Sequence, residues 1–595
     1  MCGIFSILNN TNYITIPKNI VNESFLKGDS RGPEYSEYVE FYNDVVLGFH
    51  RLAINGLDSI SNQPMTIDKI TLVCNGEIYN FKELYQMMNV TPHTNSDCEI
   101  IIHLYKKFGI EYTLSLLDGY YSFIIYDASD INNEPIIYVA RDPHGVRPLY
   151  ILKYDEHLNH EYNESIDNAC TFPIIGFASE LKMLSGILNY KNKKLVYENG
   201  EHAYHSKNIY NKFQISQYPP GTYSKLTKEM RIFSHYKFEV YAKKFYTPYI
   251  PTNLSVTSFS PNEYSQVFEY VAHAFTEAVK KRVLGTTDRK VACLLSGGLD
   301  SSLVAALVAR YSDEPIETYS IGMPGGEDLK YAKIVAEHIG SRHTEIVVSE
   351  TDFLEAIPEV IRVIESYDTT TVRASVGNYL VSKYISKNSN AKVIFNGDGS
   401  DELMGGYLYF HAAPNALEFD RETKRLLNDI HYFDVLRSDK SISSNGLEPR
   451  TPFLDIQWVN AYLSIPLTFR YNPGKPEKWL LRQSISYTDK DLLPKEVLWR
   501  TKEAFSDGVS SNKKSWYEII NDKVDSLIND FPTSAYPHLT PKTKEQYYYR
   551  TIFEEKYPNC ANVVPYFWMP RFIDAQDASA RTLNIYKNCQ EQQNE

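Results

Sequence analysis

The sequence predicts two domains that both mix helices and strands: a sheet-rich α+β domain, followed by a doubly wound α/β domain. The chain has 595 residues, more than one hydrophobic core normally supports. Short β-rich runs fill the chain to about residue 150, whereas strands alternate with helices after about residue 265. We therefore place the first domain at residues 2–215, a connector at 216–264 and the second domain at 265–595.

The first domain is predicted from apolar runs of strand length that turn residues separate. One run of helical spacing, DCEIIIHLYKKFG, interrupts them from residue 97. A polar, Tyr- and Asn-rich segment from Tyr190 to Phe213 lacks apolar periodicity, and we interpret it as an inserted surface loop. The predicted strands are GIFSIL, VVLGFHRLAI, ITLVCNGEIYN, YYSFIIYD, IIYVARD and LYILKY.

The second domain shows a different pattern, in which each apolar strand is followed by a helix. The strands are predicted at KVACLLS, ETYSIGM, HTEIVVS and AKVIF. Strands that alternate with helices favour a parallel sheet with helices on its faces. The stretch before this domain, FYTPYIPTNLSVTSFSPNEY, has three prolines and many hydroxyl residues, a composition typical of a connector.

Composition and charge exclude several classes of protein. The formal net charge of -13 leaves no broad basic surface for nucleic acid or anionic lipid. No apolar stretch approaches the roughly 18 residues that span a bilayer, and the first residues lack the pattern of a secretory signal. The seven cysteines are scattered without paired short spacings, which favours reduced thiols. We expect a cytoplasmic protein that binds neither nucleic acid nor membrane.

The stretch LLSGGLDSS, residues 294–302, lies where a predicted strand ends and a helix begins. Its two glycines allow a tight turn whose N–H groups, together with the helix N-terminus, suit a phosphate. Ser296, Ser301 and Ser302 supply further donors, and Asp300 beside a polyphosphate implies Mg²⁺. A turn without a ligand is the alternative reading of so short a motif. The residues SGGLDS resemble the pyrophosphate-binding loop of the ATP pyrophosphatases, which favours function.

A second carboxylate-rich turn, NGDGSDE, follows the predicted strand AKVIF at residues 396–402. Ligands of open parallel sheets bind at the carboxyl ends of the strands. We interpret Asp398 and Asp401 as groups that orient Mg²⁺ or an amine. The alternative is an Asx turn that caps a helix. Two such turns in one predicted sheet favour a shared ligand site.

Cys2 directly follows the initiator methionine and precedes a glycine. Removal of Met1 leaves Cys2 with a free α-amino group, whose pKa of roughly 7.7–8 lets it serve as general base for the neighbouring thiol. Such a nucleophile needs no partner histidine. An incidental cysteine is the alternative, and for Cys2 taken alone that alternative is favoured.

Polar groups in three later motifs provide a site for a zwitterionic amino acid. Arg51 in HRLAI suits an α-carboxylate, while Glu77 in NGEIYN and Asp97 in NSDCE suit an α-ammonium group. The Asn75 side chain and the Gly76 N–H suit the oxyanion of a tetrahedral intermediate. Together with a cysteine nucleophile, these groups predict glutamine as the ligand.

In this order the motifs resemble a known family. MCGIF, HRLAI, NGEIYN, RDPHGVRPLY and FASELKML are similar to class II glutamine amidotransferases. With SGGLDSS, YDTTTVRAS, GDGSDE, EPRTPFLD and KEAFSDGV, the chain resembles glutamine-hydrolysing asparagine synthetases over nearly its whole length. The resemblance implies an αββα N-terminal nucleophile hydrolase domain, followed by a doubly wound synthetase domain like that of the ATP pyrophosphatases.

The resemblance also implies an activity in two halves. Cys2 releases ammonia from glutamine through a thioester, and the second domain activates aspartate with ATP as β-aspartyl-AMP, which ammonia converts to asparagine. Glutamine, aspartate and ATP are then the substrates, and glutamate, AMP and pyrophosphate are formed with asparagine. Mg²⁺ is the implied cofactor, and the family suggests a homodimer.

The resemblance assigns site residues in three groups. The glutamine site would comprise the nucleophile Cys2, the oxyanion groups Asn75 and Gly76, and the contacts Arg51, Ile54, Asn55, Glu77 and Asp97. The ATP and pyrophosphate site would comprise Leu295, Ser296, Gly297, Gly298, Asp300, Ser301, Ile321, Asn396 and Gly397. The aspartate side would comprise Thr370, Thr371, Arg373 and Asp401, with Asp300 and Asp401 on the metal and with Asp398 and Lys502 as catalytic groups.

Three departures from the family pattern stand out. Asp398 replaces the usual glutamate and so shortens the carboxylate arm by one methylene. Asn55 replaces an apolar residue, which matters little if only its backbone contacts glutamine. The Tyr190–Phe213 segment contains HAYH, but we favour a solvated loop over a metal site there.

Other functions remain as alternatives. The nearest is a glutamine-dependent amidotransferase that acts on another carboxylate, such as a peptide or cell-wall precursor. Relatives that form β-lactams fit less well, because they tend to lack the nucleophilic cysteine. A noncatalytic sensor of glutamine or nucleotide is the alternative of a different class.

Overall fold

The structure is a computed structural model of the chain. It describes residues 2–11, 16–42, 44–154, 174–198, 213–229, 235–247, 261–286, 288–503, 505–511, 514–532 and 534–583. The chain divides into two compact units. The first unit comprises Met1–Tyr246 and Phe553–Val563, and the second comprises Thr247–Ile552 and Val564–Glu595.

The first unit consists mainly of β-strands. Its strands are β1 (Gly3–Leu8), β2 (Tyr35–Phe41), β3 (Val45–Arg51), β4 (Met65–Ile67), β5 (Ile70–Ile78), β6 (Gly119–Asp127), β7 (Ile136–Arg141), β8 (Tyr150–Tyr154), β9 (Ile175–Ala178), β10 (Phe213–Gln217), β11 (Thr222–Glu229) and β12 (His235–Lys244). Its helices are α1 (Lys18–Leu26), α2 (Phe81–Met88), α3 (Ile100–Leu116) and α4 (Lys182–Glu198).

Two six-stranded antiparallel sheets form the centre of this unit, in the orders β10-β8-β9-β1-β3-β2 and β12-β11-β7-β6-β5-β4. Side chains alternate between the two faces of each strand. In β5, Val73 packs with Ile4 of β1 in the core that the two sheets share. Its neighbours Leu72 and Cys74 instead pack with residues of α2 and α3. Helices α1 and α4 contact each other, and α4 contacts β9 and β10.

The structure differs from the predicted connector at residues 216–264. Strands β11 and β12 lie within that range and extend the second sheet from β7. Tyr223, Leu226 and Tyr236 are buried there. Burial of these apolar side chains in the sheet therefore outweighs the polar composition of the segment, and the first unit extends to Tyr246. The remaining connector residues 248–260 lie outside the described residues.

The predicted surface loop at Tyr190–Phe213 is partly helical. Helix α4 continues to Glu198, and Phe213 begins β10. The residues between them, 199–212, with the HAYH motif, lie outside the described residues.

The second unit is built around a parallel sheet with many helices. Its strands are β13 (Lys290–Leu294), β14 (Glu317–Gly322), β15 (Arg342–Val347), β16 (Ala391–Phe395) and β17 (Glu448–Arg450). Its helices are α5 (Pro261–Leu284), α6 (Leu299–Arg310), α7 (Glu327–Ile339), α8 (Glu350–Ile364), α9 (Thr369–Asn388), α10 (Ser400–Met404), α11 (Ala416–Asp429), α12 (Asp434–Ser443), α13 (Ile456–Ser464), α14 (Leu467–Arg470), α15 (Trp479–Thr488), α16 (Lys495–Leu498), α17 (Phe505–Gly508), α18 (Trp516–Leu527) and α19 (Lys544–Lys556).

The sheet has the order β15-β14-β13-β16-β17, and all its strand pairs are parallel. The four strands predicted from the sequence are present. The strand order reverses direction between β13 and β16, which is where open α/β sheets bind ligands. The loops after these two strands approach closely: a Cβ added at Gly397 would lie 2.8 Å from Asp300 Cβ. Among the described residues, no helix is long and apolar enough to cross a membrane.

Candidate active sites

Cys2 lies immediately before β1 and is partly buried. Its backbone nitrogen donates to Asn75 Oδ1 at 3.2 Å, and its thiol lies 3.7 Å from the Leu52 carbonyl oxygen. Arg31 Nε donates to the Cys2 carbonyl oxygen at 2.9 Å, and the Arg31 guanidinium is itself paired with Glu180 at 2.5 Å. This buried ion pair fixes the backbone that carries the predicted nucleophile.

Strand β5 places the two predicted oxyanion groups beside Cys2. Asn75 is fully buried, and its Nδ2 lies 3.5 Å from Ser179 Oγ, a long contact that leaves this donor weakly engaged. A Cβ added at Gly76 would lie 2.7 Å from the Tyr120 carbonyl oxygen of β6, so the strand pairing requires glycine there. The structure thus brings together the predicted nucleophile and the predicted oxyanion groups.

Arg51 ends β3, and the oxygens that accept hydrogen bonds from its guanidinium are neutral. It donates to the Asp58 carbonyl oxygen at 2.8 Å, to Asn62 Oδ1 at 2.6 Å and to the Gly56 carbonyl oxygen. These acceptors orient the group without neutralising it. A ligand carboxylate would add a stronger, charge-assisted bond to the same cation.

The two carboxylates predicted for the glutamine ammonium are both buried, but each has a protein partner. Asn55 Nδ2 donates to Glu77 Oε1 at 2.5 Å, and the backbone N–H of Ile78 donates to Asp97 Oδ2 at 2.7 Å. Ile54 and Asn55 are buried next to Arg51 along the chain. The Asn55 side chain therefore engages a predicted ligand contact directly, which its expected backbone role did not include.

His50 is held as a neutral imidazole within the core. Its Nε2 donates to the Phe25 carbonyl oxygen at 2.8 Å, and Ser36 Oγ lies 2.7 Å from its Nδ1. Burial lowers its pKa to about 4. Both ring nitrogens are engaged, which is consistent with a nucleophile that uses its own amine as base.

The second unit contains a cavity of about 180 Å³ at the carboxyl ends of β13, β14 and β16. It gathers most of the residues predicted for the synthetase site. These are Leu295, Ser296, Gly298, Asp300, Ser301, Ile321, Thr370, Thr371, Asn396, Gly397, Asp398, Asp401 and Lys502. Two separate loops and two helices thus converge on one cavity.

The loop after β13 has the tight turn that its glycines predict. Ser301 Oγ accepts from the Ser296 N–H at 3.2 Å and lies 3.0 Å from Ser296 Oγ. Gly297 has φ +71°, and a Cβ there would lie 2.4 Å from the Ala332 nitrogen. Gly298 is the N-cap of α6. The turn therefore depends on Gly297, and it directs the start of α6 at the cavity.

A quartet of charged side chains, Asp300, Asp401, Lys478 and Lys502, lines the cavity. Lys478 Nζ lies 2.6 Å from Asp300 Oδ2 and 2.5 Å from Asp401 Oδ1, and Lys502 Nζ lies 2.5 Å from Asp401 Oδ2. Burial opposes the charge of Asp401, but the two lysines hold the pKa of Asp401 well below its usual range. Despite burial, Asp401 and Asp300 raise the pKa of Lys502. The pKa shifts of Asp401 and Lys502 therefore favour the charged form of both, and Lys478 bridges the two carboxylates.

Sequence reasoning missed Lys478. This residue has φ +56° as the N-cap of α15, and its side chain is almost fully buried. A Cβ added at Gly406 would lie 2.0 Å from Lys478 Cε, so the glycine makes room for the lysine. The local signal was only a lysine directly before the apolar run WLL.

A second acidic group lies on the same cavity. Asp398 Oδ1 is paired with Arg437 at 2.9 Å, and Arg437 also contacts Asp434 at 3.0 Å. Burial raises the pKa of Asp398, and nearby Asp434 adds to the rise. Tyr407 donates to Glu402, whose pKa is raised by burial and by Asp434. Only Asp398 of this group was predicted for the site.

The structure places Arg373 outside the cavity lining, although Thr370 and Thr371 on the same helix face the cavity. Arg373 Nε donates to Glu545 at 2.9 Å, and its Nη1 donates to Asp577 at 2.7 Å. The guanidinium thus ties α9 to two distant carboxylates. Its predicted place among the aspartate contacts stays a prediction.

Comparison with known proteins identifies the family. Residues 1–237 match the glutamine amidotransferase domain family, and residues 270–419 and 412–581 match the asparagine synthase family. Asparagine synthetase [glutamine-hydrolyzing] of Gallus gallus is 39% identical over 613 residues, which cover 99% of each chain. The Homo sapiens protein of the same name is 38% identical over 612 residues, again 99% of each chain. This chain belongs to the glutamine-hydrolysing asparagine synthetase family.

Membership of the asparagine synthetase family confirms the resemblance found in the motifs. It also confirms the order of an amidotransferase domain before a synthetase domain. Among solved structures, NMN synthetase from Francisella tularensis aligns with a TM-score of 0.24 and 15% identity, over 50% of this chain and 96% of that chain. That similarity is too low to inform the fold.

Proposed function

We propose that this member of the asparagine synthetase family makes asparagine from aspartate, using ammonia released from glutamine and cleaving ATP to AMP and pyrophosphate. The observation that carries the proposal is the quartet of paired lysines and aspartates beside the Ser-Gly-Gly-Leu-Asp-Ser turn, on the same chain as a Cys2 whose backbone nitrogen donates a hydrogen bond to Asn75. One site suits a polyphosphate and a carboxylate, and the other suits an amide. A chain with both can supply its own ammonia.

The first half-reaction uses Cys2 after removal of Met1. The α-amine takes the thiol proton, and the sulfur attacks the side-chain amide carbon of glutamine. Asn75 Nδ2, which has only a long contact to Ser179, and the Gly76 N–H donate to the oxyanion. The nitrogen then takes this proton from the α-ammonium group, the C–N bond breaks and ammonia leaves, and water hydrolyses the thioester to glutamate.

The second half-reaction takes place in the cavity of the second unit. An oxygen of the aspartate β-carboxylate bonds to the α-phosphorus of ATP while the bond to the pyrophosphate oxygen breaks. Lys502 and Lys478 stabilise the charge that develops there. Ammonia then attacks the β-carbonyl carbon, AMP leaves, and a carboxylate takes the proton lost by nitrogen. Asp398 is the acceptor we propose, because burial raises its pKa.

A separate observation supports a Mg²⁺ site in this cavity. Asp300 Oδ1 is buried and accepts no hydrogen bond from the described residues. Hard carboxylate oxygens are the ligands that Mg²⁺ prefers. Asp300 and Asp401 would hold the ion, which supplies positive charge to the pyrophosphate oxygens.

The direct test follows products in the full-length protein. Purified protein with aspartate, ATP, Mg²⁺ and either glutamine or ammonium should form asparagine, AMP and pyrophosphate in equal amounts. Cys2→Ala should abolish synthesis from glutamine and leave synthesis from ammonium unchanged. Asp401→Asn is the converse control: it should abolish pyrophosphate release and keep glutamine hydrolysis.

Pyrophosphate release that does not depend on aspartate would rule out the asparagine assignment and favour another carboxylate. No release with any substrate would favour a noncatalytic sensor. Loss of both activities in Cys2→Ala would contradict two separable sites. The N-terminal nucleophile hydrolase class of the first unit, the homodimer and the cytoplasmic location stay predictions.

A further inference from the structure

Three metal-ligating side chains come together in the first unit, outside the groups assigned to glutamine. His93 lies in the segment before α3, Glu99 immediately precedes that helix, and His103 lies within it. One ligand atom from each residue lies within 4.8 Å of the other two. The amidotransferase chemistry described above uses none of the three.

Glu99 and His103 are prearranged by the helix. They are four residues apart, a spacing that places side chains on one helical face. His103 Nε2 lies 2.9 Å from Glu99 Oε1. The His93 ring lies nearly parallel to the His103 ring, with centroids 5.7 Å apart and planes at 16°. Both imidazoles therefore lie beside the same carboxylate.

The backbone fixes the carboxylate in place. Glu99 is fully buried, and its two oxygens accept the N–H groups of His93 at 2.7 Å and Thr94 at 2.6 Å. Hydrogen bonds of this kind orient a metal-ligating carboxylate from its outer side. The bond from the His93 N–H also holds the His93 backbone, so the position of Glu99 determines where the His93 side chain begins.

The group is accessible from one side. The His103 side chain is 12% exposed, whereas His93 is exposed and lines a surface cavity of about 360 Å³ together with Asn62 and Thr94. An ion can enter from this cavity, and a water molecule can complete its coordination. The group therefore has a buried carboxylate on one side and an exposed imidazole on the other. Metal sites with three protein ligands likewise leave one position open to water.

We propose that His93, Glu99 and His103 bind a divalent transition-metal ion of the zinc class, with water as a further ligand. Two imidazoles and one carboxylate form a ligand set that Zn²⁺ takes in proteins, whereas Mg²⁺ prefers oxygen alone. Ligand atoms bound at about 2.0–2.1 Å in a tetrahedral site lie about 3.3 Å apart. The ligand atoms lie within 4.8 Å of one another, so binding requires only small side-chain movements, and the ion would replace the direct 2.9 Å bond between His103 and Glu99.

The test uses Co²⁺ and Zn²⁺ with metal-free, full-length protein, in excess Mg²⁺ that occupies sites made only of oxygen ligands. One equivalent of Co²⁺ should produce the intense visible absorption of tetrahedral Co²⁺, and Zn²⁺ should displace it. His93→Ala, at an exposed position that should not disturb folding, should weaken binding by more than about tenfold, because even outer-shell changes weaken it by 10–100-fold.

Two control variants make the outcome decisive. His273→Ala removes an exposed histidine from α5 in the second unit and should bind Co²⁺ as the parent does. The double variant His202→Ala, His205→Ala removes the HAYH motif and should also bind normally. If the double variant loses the ion while His93→Ala keeps it, the proposal is wrong. It is equally wrong if the parent protein shows no tetrahedral absorption, since His103 and Glu99 then form only a hydrogen-bonded pair.

Discussion

The two candidate sites handle buried charge in opposite ways. In the first unit, Arg51 donates its hydrogen bonds to neutral oxygens, and the nearby Asp58 carboxylate interacts with it through charge alone. In the second unit, Lys478 and Lys502 are already paired with carboxylates. A ligand carboxylate can add to the first site without displacing a charge. A polyphosphate in the second site must share the two lysines with the carboxylates that already pair with them. Mg²⁺ on the same carboxylates would add positive charge for the polyphosphate.

The same contrast separates Arg51 from Arg373, the buried arginine of α9. Arg373 is held by two carboxylates, Glu545 and Asp577, and lies outside the cavity lining. Both arginines stand in family motifs, and their motifs alone do not show how each charge is engaged. The hydrogen-bond partners of each guanidinium show that difference.

The largest effect is expected from Arg373→Met. This change leaves the buried Glu545 and the neighbouring Asp577 without their cation, and such a loss destabilises a protein by about 3–5 kcal/mol. All five tryptophans lie in the second unit, so their fluorescence during urea unfolding reports on that unit. Arg51→Met is the matched control: it should raise KM for glutamine and leave this transition unchanged. An Arg373→Met protein as stable as the parent would contradict the structural role.

A smaller but still large effect is expected from Lys502→Met. The variant loses one of the two ammonium groups beside Asp401, and removal of one such electrostatic contact slows catalysis by about 10²–10³-fold. Aspartate-dependent pyrophosphate release should fall by that amount, while glutamine hydrolysis continues at the parent rate. Equal loss of both activities would show that the two sites are not independent.

Two glycine substitutions in the second unit should differ in size. Gly297→Ala combines φ +71° with a Cβ only 2.4 Å from the Ala332 nitrogen, whereas Gly340→Ala has φ +66° and open space. The left-handed conformation alone costs about 1–2 kcal/mol, and the clash at Gly297 adds to it. The temperature of thermal unfolding should therefore drop further for Gly297→Ala than for Gly340→Ala. Similar drops would mean that the loop after β13 can shift to accept a side chain.

The last effect concerns pH, and it should have opposite signs in the two units. Burial raises the pKa of Asp368 in the second unit to about 6 and lowers that of His50 in the first unit to about 4. The raised carboxyl group stabilises the folded state at low pH, and this contribution is lost as pH rises through about 6. The lowered imidazole contributes stability above its ordinary pKa of 6.5, and this is lost as pH falls towards 4.

Substitutions that remove the titrating groups test these signs. Asp368→Asn should flatten the pH dependence of unfolding, followed by tryptophan fluorescence, because the amide does not titrate. The flattening should fall in the pH range between the ordinary and the raised pKa of Asp368. His50→Gln should reduce the acid sensitivity of hydrogen exchange in β3. An unchanged profile in either variant would show that another group dominates the pH dependence of that unit.

Much of the architecture follows from local sequence. The strands KVACL and AKVIF and the glycine turns that follow them were predicted, because apolar runs and glycine pairs act over a few residues. The boundary of the first unit was not predicted. Strands β11 and β12 join a sheet whose other members lie much earlier in the chain, and Phe553–Val563 returns to the first unit from near the C-terminus.

The sequence by itself determined the family and the loops that supply Asp300 and Asp401, and it predicts Cys2 as the nucleophile, since each is carried by a contiguous motif. Only the tertiary structure decided what those groups touch. Lys478 reaches Asp300 across 178 residues, and Arg373 reaches Glu545 across 172. Pairing over such separations depends on how helices and strands pack, and the buried partner of a charge is therefore fixed by the fold and not by the residues beside it.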